Sequence, residues 1–595
     1  MPRMFLWGLL VLLGLVARVQ AASPPAAELH VRAGFAGLAR PGAWLPLAVT
    51  LNVSADLDGI VSVEVREGGR LEGPAVTRYI RKVHARPGVA AHLALAVPYP
   101  DPRWPLVVRA LRDEVEVART EVIPTRGEML VLVVVREQAG HGPLAELPGV
   151  RVAYLEEDGL PRSWAEYEGV SWLVLRDLSP RRLDPAQRRA VEQWVALGGR
   201  VLLAVGEGGG LAVQALPEAL RPVATTGRTV QVGGATLAGR FGGQITSPLP
   251  AAQANLSGAA TAAVSEAGVP LIVERRHGWG RVVAWTFDDR DPVLARWTGR
   301  SRLWRDLLAS GPHRPVAGPE ITSIIPTSHP IPARLHLQAG LWLLIYIAGA
   351  RVAGRLLRRG PAWWVLFGAG LALATWGFGM VAWQVRAGTM ALVEMTLVEA
   401  APGGDAARAT AFLRVLAPYG QAFRLRAAGG VLAIRPLGPT SGTVIEGGSD
   451  AVQVSGAAVR GAAHPTLEAS GVISAPARGV SRETPDALTV VIERRADAAV
   501  GEAFVYFRGQ VQRLATVPPG QSTHRLDPGR WASPDDAMAD PLRRWVFSRL
   551  RADAIIEQDV PWLIGTLDDS RLITKIEGGA SSVRAQVLLV PLPTR

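Results

Sequence analysis

Residues 335–385 read LHLQAGLWLLIYIAGARVAGRLLRRGPAWWVLFGAGLALATWGFGMVAWQV, two apolar runs separated by Arg351, Arg355, Arg358 and Arg359. The second run, 363–383, has no charged residue, and as a helix it spans about 30 Å, the thickness of a bilayer's hydrocarbon core. Trp363 and Trp364 at one end and Trp383 at the other have the placement of interfacial anchors. The first run, 335–350, is weaker, since it carries His336 and Gln338 and spans only if Arg351 snorkels at its far end. With the arginines between the runs and only Arg334 and Arg386 just outside, the positive-inside rule puts the short loop in the cytoplasm. The stretch therefore predicts a two-helix transmembrane hairpin at 334–386, in a cell membrane, with both large flanking halves extracytoplasmic. Two buried helices of an ordinary core fit less well, because the uncharged run is longer than a core helix needs.

Composition narrows the function classes. The chain has 595 residues, enough for several domains. Its formal charge is +12 with 64 basic residues, of which only Lys82 and Lys575 are lysine. The arginines are scattered, often beside acids as in Arg66-Glu67 and Glu493-Arg494, so the basic stripe of a nucleic-acid-binding protein is missing. An anionic partner such as a lipid surface or a wall polymer is the more natural consequence of the charge. The chain contains no cysteine, which excludes disulfides, thiolate metal sites and cysteine nucleophiles.

Working outward toward the N-terminus, residues 1–21 have the form of a signal peptide: Arg3, an apolar 4–16, then Val19-Gln20-Ala21. In 22–125, short runs at 45–51, 60–65, 92–97 and 106–111 are separated by Gly, Pro and Asp. They predict an immunoglobulin-like β-sandwich, with Val61-Ser62-Val63-Glu64-Val65 burying alternate side chains. The pattern changes at Met129. Apolar runs at 129–135, 150–155, 171–175 and 200–205 with helical stretches between them predict a parallel sheet covered on both faces. Before the fourth run, Asp184 is the expected N-cap and Pro185 the first helical residue. Ala190, Val191, Trp194 and Val195 form the buried stripe, and Gly198-Gly199 stops the helix.

The run Tyr167-Glu168-Gly169-Val170-Ser171-Trp172-Leu173-Val174-Leu175, then Leu183-Asp184-Pro185-Ala186-Gln187 and Trp194 to Leu203, resembles the class I glutamine amidotransferase-like fold. It is similar in particular to divergent versions in bacterial envelope proteins. Gly278-Trp279-Gly280-Arg281 and Asp291-Pro292 resemble the tail of such domains. The resemblance covers 126–312 and implies a flavodoxin-like, amidotransferase-like α/β domain. Family enzymes use a cysteine nucleophile, so a chain without cysteine does not inherit their chemistry.

Two acidic groups are the candidate sites. Glu207 lies in the glycine-rich turn Gly206-Glu207-Gly208-Gly209-Gly210 after the fourth strand, and Asp177 ends a neighbouring strand. A carboxylate there could act as a general base or bind a cation, or the turn is only a connection whose acids cap loop ends. Asp288, Asp289 and Asp291 form the second group, with oxygen ligands suited to Ca²⁺ but not at EF-hand spacing. Neither a dinucleotide nor a P-loop motif is present, so no cofactor is expected.

Residues 313–333 are a Pro-rich linker. Beyond the hairpin, 387–535 predict a second β-sandwich, and 536–595 a C-terminal α/β tail. The fold class expected is thus multidomain α/β plus all-β with transmembrane helices. The matching function is a membrane-anchored extracytoplasmic scaffold, receptor or sensor of the bacterial envelope, non-catalytic, binding a partner protein or wall polymer. The alternative is an extracytoplasmic hydrolase of envelope glycans or esters acting through Glu207 and Asp177.

Overall fold

The computed structural model describes residues 27–68, 75–99, 101–135, 143–176, 178, 183–206, 210–309, 323–325, 333–356, scattered positions in 365–380, 391–416, 422–427, 431–437, 442–447, 452–457, 465–534, 541–552, 560–567, 574–576 and 582–594. The expected signal peptide, 1–21, lies outside them, as do Trp363, Trp364, Trp383, Arg358 and Arg359.

The expectation of separate modules strung on a membrane hairpin is corrected by the fold. Among the described residues strand far outweighs helix, and no helix is long and apolar enough to cross a membrane. The helix Ala333–Leu356 shows the reason. Gln338 and Arg351 bound its apolar stretch to 339–350, which spans about 18 Å, well short of a hydrocarbon core. Arg355 stands in its last turn, where a cation complements the helix dipole. Leu337, Leu341 and Leu344 on this helix are exposed. The transmembrane assignment falls with this finding, and so does the two-span cell-membrane localisation.

The sheets also cross the expected modules. One eight-stranded sheet runs in the order Thr574–Ile576, Ala422–Ala427, Val452–Ala457, Thr443–Gly447, Ala75–Ala85, Leu57–Glu67, Leu106–Arg112, Val115–Val122. Half its strands come from each end of the chain. They meet where Thr443–Gly447 pairs in parallel with Ala75–Ala85, Ile445 opposite Tyr79. A second eight-stranded sheet is built from C-terminal strands, with Ala391–Ala400 and Ser582–Pro591 parallel at its centre. Ile325, in the expected linker, is buried against this sheet's core. Two three-stranded sheets complete the ends, Ala27–Ala33 with Trp44–Val53 and Ala91–Pro98, and Ala477–Thr484 with Ala487–Arg494 and Gly520–Leu526.

Between the two ends of the chain lies a seven-stranded sheet ordered Val150–Leu155, Met129–Val134, Trp172–Leu175, Arg200–Ala204, Gly280–Trp285, Val269–His277, Thr261–Glu266. The first five strands are parallel, Val269–His277 runs antiparallel to Gly280–Trp285, and Thr261–Glu266 is antiparallel to Val269–His277 in turn. All side chains of Trp172–Leu175 are buried, as expected of a strand covered on both faces. The helix Pro185–Ala196 carries the predicted devices: Asp184 and Gln187 form a capping box, and Ala190, Val191, Trp194 and Val195 are buried. Gly198 turns the chain at φ 112°. A Cβ on Gly199 would sit 2.3 Å from the Trp194 ring, so only glycine lets the next strand start beneath the indole.

Candidate functional site

In an open parallel sheet the carboxyl ends of the strands form the usual ligand edge. Here that edge is made by Arg176 after Trp172–Leu175, by Val205 and Gly206 after Arg200–Ala204, and by the 286–291 segment after Gly280–Trp285. Backbone bonds hold the segments together, Arg176 N donating to Val134 O (3.2 Å) and Val205 N to Trp285 O (2.8 Å). The last two loops nearly touch, because a Cβ on Gly206 would lie 3.0 Å from that of Asp288.

The three aspartates of this edge do different things. Asp288 Oδ1 accepts from Arg290 N (2.9 Å) and Arg290 Nε (3.0 Å). Burial pushes the Asp288 carboxyl up, but the Arg290 hydrogen bonds outweigh it and hold the group below its ordinary pKa. Asp291 is an N-cap, accepting from Val293 N (2.7 Å) ahead of the short helix Pro292–Arg296. Asp289 turns inward. Its Oδ2 accepts from Arg176 Nη2 at 2.5 Å, and the two side chains are 3% and 7% exposed. Arg300 Nη2 donates to the Asp289 carbonyl at 2.8 Å. Burial pushes Asp289 above the ordinary carboxylate range, against the pull of Arg176. Among the described residues Asp289 Oδ1, Arg176 Nε and Arg300 Nε have no hydrogen-bond partner.

The expected Ca²⁺ ligands therefore point three ways, and no group of three metal-ligating side chains occurs among the described residues. Glu207 and Asp177 lie outside the described residues. The sequence sets Asp289 beside its acidic neighbours and gives no sign of Arg176, the residue before Asp177, as its partner. Arg176 lies 113 positions from Asp289, and no local spacing connects them. His277 is half-buried at a strand end, and desolvation lowers its pKa.

A second constellation had no signal in the sequence. Glu168 accepts from Trp44 N (3.2 Å) and pairs with Arg408 (3.6 Å), whose guanidinium lies over Trp164. Arg435 grips Glu468 with two nitrogens (3.0–3.1 Å) and donates to Gly42 O, 393 positions away, at 3.1 Å. Tyr79 OH donates to Ile434 O (3.4 Å), and Trp279 stacks on Trp562 with ring centres 5.7 Å apart. Together these contacts form a polar and aromatic seam joining the N-terminal strands, the seven-stranded sheet and the C-terminal sheets. Glu166 lies in the same seam with its carboxyl raised to about 7 by burial, an effect that Arg81 opposes.

Two clefts open elsewhere. One, of about 450 Å³, sits at the carboxyl end of Val150–Leu155 and is lined by Arg32, Tyr154, Glu156 and Asp158. The other, about 860 Å³, lies over the strand Ala477–Thr484, with Arg478, Arg482, Glu493 and Gln521 on its walls.

No family profile and no curated protein matches the chain. Among solved structures it is similar to the cytoplasmic protein STM1381 from Salmonella typhimurium LT2, at 14% identity and a TM-score of 0.25, over 30% of this chain and 98% of that one. The cytoplasmic protein STM3548 from Salmonella typhimurium stands at the same identity and score, over 31% of this chain and 100% of that one. The exo-beta-1,4-mannosidase Op5Man5 from Opitutaceae bacterium strain TAV5 stands at 13% and 0.22, over 32% and 37%. Scores this low establish no shared fold and bring no activity to this chain.

Proposed function

We propose that the chain is a non-catalytic binding scaffold that holds a partner macromolecule. The observation that carries this reading is the engagement of the ligand edge by its own side chains. Asp288 is tied to Arg290, Asp291 caps a helix, and Asp289 is buried against Arg176. A general base needs a free lone pair with access to the proton it abstracts; Asp289 is buried, and the carboxylates of Asp288 and Asp291 are committed to Arg290 and to Val293 N. The seam supports the same reading, since it welds distant segments into a body suited to presenting surfaces.

The test is a purified full chain assayed for release from chromogenic esters and glycosides, beside the Glu207→Ala and Asp177→Asn variants, with cross-linking of the tagged chain in its own cells. The expected result is no variant-dependent turnover and one stoichiometric cross-linked partner that all three proteins retain. Turnover abolished by Glu207→Ala or Asp177→Asn would instead make the chain a hydrolase.

A further inference from the structure

We propose that the outer face of the three-stranded sheet Ala477–Thr484, Ala487–Arg494, Gly520–Leu526 binds a phosphomonoester, clamped between Arg482 and Arg525. Strand alternation divides the sheet cleanly. Gly479, Ser481, Val490, Ile492 and Leu526 face the core, whereas Arg482 and Arg525 are exposed on the other face and Thr489 is partly so. The register puts Arg482 opposite Thr489 and Thr489 opposite Arg525. The two arginines thus flank one threonine on a single row, with backbones two strand spacings, about 10 Å, apart. Forked guanidinium groups on long stems converge readily on one oxyanion across that gap.

The pairing pattern marks these two out. Nearby, Arg478 is bound by Glu493 and Asp405, Arg508 by Glu483 and Arg495 by Asp497. Arg482 and Arg525 have no acidic partner among the described residues, although Asp486 sits in the adjoining hairpin turn. The row therefore keeps two uncompensated positive charges, which a phosphomonoester dianion matches and a monocarboxylate only half matches. The 860 Å³ cleft extends from Arg482 past Val480 and Val491 to Glu493, Gln521 and Gly403. It has an apolar floor and a polar far end, so the ester's organic part lies over the valines and any hydroxyl or amide it carries meets Gln521.

The proposal rests on the scaffold reading only in that the ligand is held and not converted. Calorimetric titration of the full-length chain with phenyl phosphate, inorganic phosphate, benzoate and phenol tests it, with phenol release followed in parallel. Phenyl phosphate should bind more tightly than inorganic phosphate or benzoate, and phenol should not bind. Arg482→Gln and Arg525→Gln should each weaken phenyl phosphate at least about tenfold, with binding steeply salt-dependent. Far-ultraviolet circular dichroism of both variants should match the parent, since both side chains are exposed. No binding at millimolar phenyl phosphate, or binding that the double variant keeps, overturns the site. Arginine-dependent binding accompanied by phenol release would leave the site standing and overturn the scaffold reading.

Discussion

Glu166 makes the most direct residue-level prediction. Its carboxyl, raised to about 7 from an ordinary 4.5 mainly by burial, binds a proton in the folded chain that it has already lost in the unfolded one. Its stabilising contribution is full below pH 4.5 and disappears as pH rises through 7. The shift corresponds to about 3 kcal/mol, or about 2 kcal/mol once partial solvent exposure is allowed for. Urea midpoints for the parent should therefore fall between pH 4.5 and 8 relative to Glu166→Gln. Parallel curves for the two proteins would show that Glu166 is not the titrating group. Nothing around Glu166 in the sequence marks it, because the turn that carries it packs not only on the helix Pro185–Ala196 but also on the strand Trp44–Val53, more than a hundred residues away. Asp288 and Asp291 were visible as a cluster, but their roles depend on which way each side chain turns.

The helix Pro185–Ala196 was legible from its residues alone, because its cap, its first-turn proline and its buried stripe are set by neighbours three or four positions apart. Asp184→Ala should cost about 1 kcal/mol through loss of the capping box, and Asp184→Asn much less. Gly199→Ala should cost more, about 1–3 kcal/mol, since the new methyl drives into the buried Trp194 ring. Thermal unfolding of the three variants checks the order, and a neutral Gly199→Ala would mean that the indole moves aside freely. The helix Ala333–Leu356 is less legible. Hydropathy registers how apolar a run is, but the polar residues bounding 339–350 decide how far it reaches.

At the scale of the whole molecule, the sequence suggests consecutive modules, and the sheets join strands from both ends of the chain. Strand-forming segments such as 60–65 and 106–111 were recognisable by alternation, whereas the partner of Ala75–Ala85 was not, since pairing with Thr443–Gly447 leaves no local trace. Arg435 shows what the joining is worth. Replacing it with alanine strips the buried Glu468 of its two-nitrogen grip and removes the bond to Gly42. A cost of about 3 kcal/mol follows from leaving that carboxylate uncompensated. Limited proteolysis of Arg435→Ala should open both ends of the chain together, and cleavage confined to the C-terminal strands would show that the ends are energetically separate.

The parallel junction also bears on how the protein is made. Ala75–Ala85 leaves the ribosome with one neighbour available, Leu57–Glu67, and its other edge must wait for Thr443–Gly447. Roughly 360 residues have to be translated in between, which at about 5–20 residues per second takes about 20–70 s. Throughout that interval a nascent chain displays an open strand edge, so its yield in a cell depends on chaperones that shield the edge until the far end of the message has been read.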